Sequence, residues 1–478
     1  MPKYLLFAAV IAAAVMAAHA PARAQAQSAE AQRPNIVILL TDDQRWDAVG
    51  VVQRASRGRF PFFRNSTPNI DRIAAGGVWF NNAFVVDSLC SPSRAAFLTG
   101  QYNHINGVID NTTPLPVNSE TYATLLHAAG YRTGFFGKWH MGSQRARPGF
   151  DEYASFVGQG QYKDAPLLVN GKDTPTKGWV DDVTTGYAVD FIRRQAHGAQ
   201  PFLMVLGFKT VHGPLSENTS PPRTDGLFTG QQIDTPANAT SYPPYFVNPR
   251  PSTFGGEEFR NYFRAVAAMD QDVGKVLDAL DAEGIADNTF VVFASDNGWH
   301  MREHGSVSPV QRDGEKRSAY EASIRIPLFV RYPPLTGGNR RIAATVLNID
   351  LAPTLLQLAG LPPRPKMQGK SWIPLLTGAV QTLRPSLFYE YFQEQGFIVP
   401  RILALRSNKL KLIVYPDHPE YGQELYDLAS DPDERHNLIG DPAARTELRG
   451  LEDALAAAAR QFHYRVPTRA APAIPPIE

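Results

Sequence analysis

Four short apolar runs punctuate the chain at Ile36–Leu40, Tyr131–Phe136, Phe202–Phe208 and Phe290–Ala294. Runs of this length without polar alternation read as strands buried on both faces. Helical stretches separate them. The strongest is Glu257–Leu280, where Phe259, Tyr262, Phe263, Val266, Met269 and Val273 fall at helical spacing and Gly284 follows as a stop. A further helix is predicted over Ile349–Gly360. Strands alternating with helices predict an α/β fold with a large, mostly parallel sheet flanked by helices.

A boundary is predicted near Thr377–Pro385. Beyond it, Leu387–Tyr391, Ile402–Ser407 and Leu410–Tyr415 read as strands, and Leu448, Leu451, Leu455 and Phe462 mark an amphipathic helix. The expected organisation is therefore a large α/β portion over 33–380, a smaller C-terminal α+β subdomain over 381–465, and a proline-rich mobile tail over 466–478. Two stretches rich in Gly, Pro, Thr and Asn, Gly142–Thr185 and Gly213–Gly256, read as long surface excursions of the kind that shape binding sites. No internal repeat is present.

The first 26 residues read as a secretory signal. Lys3 precedes the uncharged run Tyr4–Ala18, which is short for a membrane span, and small-x-small cleavage sites lie near residues 24–26. An uncleaved anchor is the alternative. The expected location is periplasmic or secreted, with no membrane association after cleavage. With 47 basic and 46 acidic residues, the chain lacks the basic excess of a nucleic-acid binder. Its single cysteine, Cys90, excludes an intrachain disulfide and is an unusual survivor in an exported protein.

Each apolar run is followed by polar residues: Asp42 and Asp43, then Lys138 and His140, then His212, then Asp296 and Asn297. In open α/β sheets ligands bind beyond the carboxyl ends of the strands, so parallel neighbours would bring these groups to one edge. Singly, Asp-Asp is a solvated turn, Asp-Asn-Gly a turn sequence and His212 a loop residue. Together, three carboxylates and an amide oxygen match the ligand set of a hard cation such as calcium, and the histidines and lysine suit an anion. Cys90-Ser91-Pro92-Ser93-Arg94 reads as the start of a helix that stops at Gly100. Its N–H groups and Arg94 would favour an anion, or a thiolate at Cys90. A small buried cysteine is the bland reading.

The segment CSPSRAAFLTG (Cys90–Gly100) resembles the first signature of type I sulfatases, members of the alkaline phosphatase superfamily, and GYRTGFFGKWH (Gly130–His140) resembles their second. RPNIVILLTDDQ (Arg33–Gln44), SDNG (Ser295–Gly298), EKRSAYEASIRIP (Glu315–Pro327) and ELYDLASDPDERHNL (Glu424–Leu438) are similar to further family segments, in order along the chain. The resemblance implies an alkaline-phosphatase-like fold and conversion of Cys90 to formylglycine by a formylglycine-generating enzyme. It further implies one calcium ion held by Asp42, Asp43, Asp296 and Asn297 beside residue 90. Arg94 would steady the hydrated aldehyde. Lys138 and Lys316 would bind sulfate oxygens, with His140 and His212 near the reacting group. A hydrate oxygen would attack sulfur, His212 or Lys316 would protonate the leaving alcohol, and a base such as His140 would help expel sulfate.

Phosphatases of the superfamily typically carry Ser or Thr as nucleophile and Asp-His at the second metal turn. Cys90 and Asp296-Asn297 therefore favour sulfate. Phosphonate and phosphodiester hydrolases that carry the modified cysteine are the alternative enzymes, and an unmodified inactive homologue binding sulfated glycans is the alternative of another class. Gly149–Gly178 and Asn106–Asn111 are similar to N-acetylglucosamine-6-sulfatase-like members. The expected substrate is thus a sulfated amino sugar or glycosaminoglycan fragment, with an aryl sulfate as the alternative.

Overall fold

The computed structural model describes residues 33–56, 58–216, 219–246, 255–305 and 316–465. The predicted signal and tail lie outside these residues. Ten strands form the main sheet: β1 (Asn35–Thr41), β2 (Val78–Phe84), β3 (Arg132–Lys138), β4 (Glu152–Phe156), β5 (Leu167–Val169), β6 (Lys172–Thr174), β7 (Phe202–Gly207), β8 (Thr289–Ser295), β9 (Leu328–Arg331) and β10 (Arg340–Leu347). Their spatial order is β10-β2-β9-β8-β1-β7-β3-β4-β5-β6. All are parallel except β9 and β5, each of which runs antiparallel to both its neighbours. The four runs predicted as strands are the four central ones. β1 is buried at every position because both faces are covered: Ile36, Ile38 and Leu40 enter one core and Val37 and Leu39 the other.

The helices α1 (Cys90–Thr99), α2 (Val180–Gln195), α3 (Gly256–Ala282), α4 (Leu351–Leu358) and α5 (Arg445–Gln461) cover the strands. α3 and α2 pack against the Val37 face, whereas α1 and α4 pack against the Ile36 face. The latter core continues into a second, antiparallel sheet of β11 (Ser386–Tyr391), β12 (Ile402–Ser407), β13 (Leu410–Val414) and β14 (Gln423–Asp427). α5 lies against this sheet through Leu451 and Leu455. Among the described residues no helix is long and apolar enough to cross a membrane.

The excursion expected over Gly142–Thr185 is not purely loop. It supplies β4, β5, β6 and the first turn of α2, extending the sheet at one edge. Gly213–Gly256 holds one short 3₁₀ turn, Pro222–Thr224, among its described residues before α3 begins at Gly256. Gly137 and Gly207 face one another in register across β3 and β7, and a Cβ on either would run into the other strand's backbone.

Candidate active site

The parallel sheet brings the polar residues to one edge, as the strand-end pattern predicts. β1 delivers Asp42 and Asp43, β8 delivers Asp296 and Asn297, β3 ends on Lys138 with His140 two residues on, and β7 leads to His212. β2 leads to Cys90, the first residue of α1, all ten of whose residues are buried. Gly100 ends α1 at a φ of 68°, a conformation that favours glycine. Lys316 arrives from the segment before β9. Asp43 and His140 both take positive φ, 59° and 51°, where each chain turns off its strand.

Cys90 lies at the centre. Its thiol is 3.6 Å from Asp42 Oδ1, and Lys316 Nζ is 2.9 Å from Sγ. Lys316 also pairs with Asp43 and Lys138 with Asp42. Arg94 donates through Nε to Asp296 Oδ2 at 2.8 Å and through Nη1 to the Lys138 carbonyl at 2.9 Å. His212 Nε2 is 4.0 Å from Asp43 Oδ2, and its side chain is the most open of the set at 22% exposure. All the other predicted residues are buried. Three carboxylates thus face three basic side chains, and a divalent cation would leave a positive surplus suited to an anion.

The electrostatics follow from burial and charge. Burial alone would raise Asp42, but the cationic Lys138, Arg94 and Lys316 outweigh it and hold its carboxyl well below the usual range. Burial and the Asp42 charge push Asp296 up to about 7, against Arg94. Burial, reinforced by Lys138, keeps His140 and His212 below their ordinary range and therefore neutral. Burial would lower Lys316, but Asp43 outweighs it and secures its proton. Burial raises the Cys90 thiol to about 12, so the unmodified side chain is a poor thiolate nucleophile.

Asp42, Asp43 and Cys90 present ligand atoms within 4.8 Å of one another. Asn297 donates through Nδ2 to Asp43 Oδ1 at 2.6 Å, while its Oδ1 is buried without a partner. Asp296 Oδ1 accepts the Asp43 N–H at 3.1 Å. Carboxylate and amide oxygens of this kind, one of them unsatisfied, fit a hard cation. Two neighbours escaped the sequence reading. Gln159 accepts from Lys138 Nζ at 2.6 Å, and Lys209 Nζ donates to the Gln159 carbonyl at 3.0 Å. Lys209 directly follows the third apolar run, so the strand-end rule reaches it. Gln159 carries no such signal.

A sequence model of the family described as Sulfatase matches residues 34–361. The chain belongs to the sulfatase family. A second model, N-sulphoglucosamine sulphohydrolase, C-terminal, matches residues 313–461 of this sulfatase. The sulfatase is 29% identical to N-acetylglucosamine-6-O-sulfatase of Bacteroides thetaiotaomicron, over 87% of this chain and 84% of the relative. Identity to human N-acetylglucosamine-6-sulfatase is 28%, over 76% and 68%. Among solved structures, BT4656 in complex with its substrate D-glucosamine-2-N,6-O-disulfate superimposes with a TM-score of 0.79 at 28% identity, covering 90% of this chain and 98% of that one. A phosphonate monoester hydrolase of Agrobacterium radiobacter shares the fold, with a TM-score of 0.71 at 22% identity, covering 90% and 96%. The sulfatase is a sulfuric ester hydrolase, and the resemblance read from its signatures holds along the chain.

Proposed function

We propose that this sulfatase removes sulfate from sulfated sugars, 6-sulfated N-acetylglucosamine in the first instance, using a formylglycine derived from Cys90 and one calcium ion. The observation that carries the reading is the enclosure of Cys90 by Asp42, Asp43, Arg94, Lys138 and Lys316, with Lys316 Nζ 2.9 Å from Sγ. The relatives named N-acetylglucosamine-6-sulfatases and the disulfated glucosamine bound to BT4656 support the substrate class. Residues 33–380 are read as the catalytic portion, 381–465 as its C-terminal subdomain, and residues 1–26 as an export signal to the periplasm or medium. A formylglycine-generating enzyme is the implied partner.

Asp42, Asp43, Asp296 and Asn297 would hold the calcium ion beside residue 90. When bound, it would supply positive charge to an oxygen of the sulfuryl group and of residue 90. Converted Cys90 would supply the nucleophile that the buried thiol does not. Lys138 and Lys316 would bind sulfate oxygens, and Arg94 would fix residue 90 against Asp42 and Asp296. Lys316, beside residue 90, or His212, at the more open side of the site, would protonate the departing alcohol. His140, buried and neutral, is the candidate base.

Two measurements test the proposal. Mass spectrometry of the Cys90 peptide from the native host should show conversion of the thiol, and Cys90→Ala should abolish turnover with the fold intact. A panel of sulfated monosaccharides, an aryl sulfate and an aryl phosphate diester should show fastest turnover on the 6-sulfated amino sugar. Faster diester cleavage would assign the phosphodiester and phosphonate alternative instead. A wholly intact thiol with no turnover would favour a glycan-binding homologue.

A further inference from the structure

Lys316 is the one basic residue of the site that does not come from the end of a sheet strand or from α1. The backbone after it is held from the second sheet. Lys411, fully buried on β13, donates from Nζ to the Ala319 carbonyl at 2.8 Å and pairs with Glu321 and Glu434, each at 2.7 Å. Glu434 accepts the Glu321 N–H through its other oxygen at 2.7 Å. Between them, the Tyr320 hydroxyl donates to Glu424 Oε2 at 2.8 Å. Three successive residues, three to five positions beyond Lys316, are thus each caught by the sheet of β11–β14. A buried ammonium is costly unless fully paired, and Lys411 is paired with two carboxylates and a carbonyl.

We propose that Lys411 is a positioning residue for the sulfatase reaction. It locks the 319–321 backbone onto the second sheet and thereby fixes where Lys316 meets residue 90. The C-terminal sheet then belongs to the working geometry of the site, although it contributes no group to the reacting atoms. This rests on the reading that Lys316 serves catalysis, and the test separates the two.

The test is a double-mutant cycle of wild type, Lys411→Met, Lys316→Met and the double variant, with kcat and KM measured on an activated aryl sulfate. Outer partners of ligating residues typically carry about 10–100-fold in activity. Lys411→Met is expected to lower kcat by about that factor in the wild-type background and by less than about twofold when Lys316 is already Met. An equal loss in both backgrounds, or no loss from Lys411→Met, overturns the proposal. Full turnover by Lys316→Met instead overturns the role of Lys316, and the proposal with it. If Lys411→Met does not fold, Tyr320→Phe deletes one hydroxyl contact and runs through the same cycle. It should show the same non-additivity with a smaller loss of about 3–10-fold in kcat. Additive behaviour there overturns the inference.

Discussion

Gly207→Ala tests whether the spacing of two strands sets the site. The added Cβ would lie 2.6 Å from the Lys138 carbonyl oxygen and 3.3 Å from Arg94 Nη1, whereas ordinary contact begins at 3.4 Å. The strands must part by about 0.8 Å, because the obstructing oxygen is backbone and cannot rotate away. That oxygen accepts the 2.9 Å hydrogen bond from Arg94 Nη1, so the opening shifts Arg94 and Lys138 together. A misplacement near 1 Å costs about 10²-fold in rate, and overpacking costs about 1–3 kcal/mol, which a typical domain survives. Expected values are a kcat on aryl sulfate lowered about 10–100-fold and a urea midpoint only modestly reduced. Gly186→Ala is the control: it sits exposed inside α2 with open space around it, and should stabilise by about 0.5–1 kcal/mol without changing turnover. A folded Gly207→Ala enzyme within about twofold of wild-type kcat would refute the idea that this spacing positions Arg94 and Lys138.

Three more outcomes are expected. Calcium should raise the melting temperature in a concentration-dependent way, by about 2.7 kcal/mol of stability at a hundredfold excess over Kd. Asp42→Asn should weaken the shift, and a wild-type protein indifferent to calcium and chelator would contradict the proposed metal site. His104 Nδ1 meets Glu390 Oε2 at 2.6 Å, and although burial works against it, the Glu390 contact raises the imidazole above its ordinary range. This contact stabilises fully below the unfolded value of about 6.5 and fades as pH rises through the folded value. Urea titrations of wild type and His104→Asn should therefore diverge most in acid and converge in alkali; a pH-independent gap would count against it. Finally, Arg384 makes two 2.6 Å contacts with buried Asp350, so Arg384→Met should cost about 3–5 kcal/mol in chemical denaturation by stranding that carboxylate.

The central strands and their polar ends were legible because continuous apolar runs are what a doubly covered strand requires. β2 was not. Asn81 and Asn82 interrupt its sequence, although it is the strand that leads to Cys90. β9 is only four residues long, and β4–β6 are short strands in a polar stretch. Local pattern cannot reveal contacts that tertiary packing alone creates. Gln159 meets Lys138, and Lys411 reaches Ala319 across 92 positions of chain. The orientation of Asn297, with nitrogen toward Asp43 and oxygen unsatisfied, is likewise invisible in an Asp-Asn-Gly turn.

The depth of Cys90 imposes a chronology on the proposed conversion. The residue is fully enclosed, and it opens a helix that shows no exposed side chain along its length. With α1 seated, an enzyme that works on an extended Cys90 segment would have to draw that helix out of the core. The proposed conversion is therefore expected on a nascent or still-open chain. Folding would then seal the outcome, and a molecule that closed with an intact thiol would keep it until it unfolded.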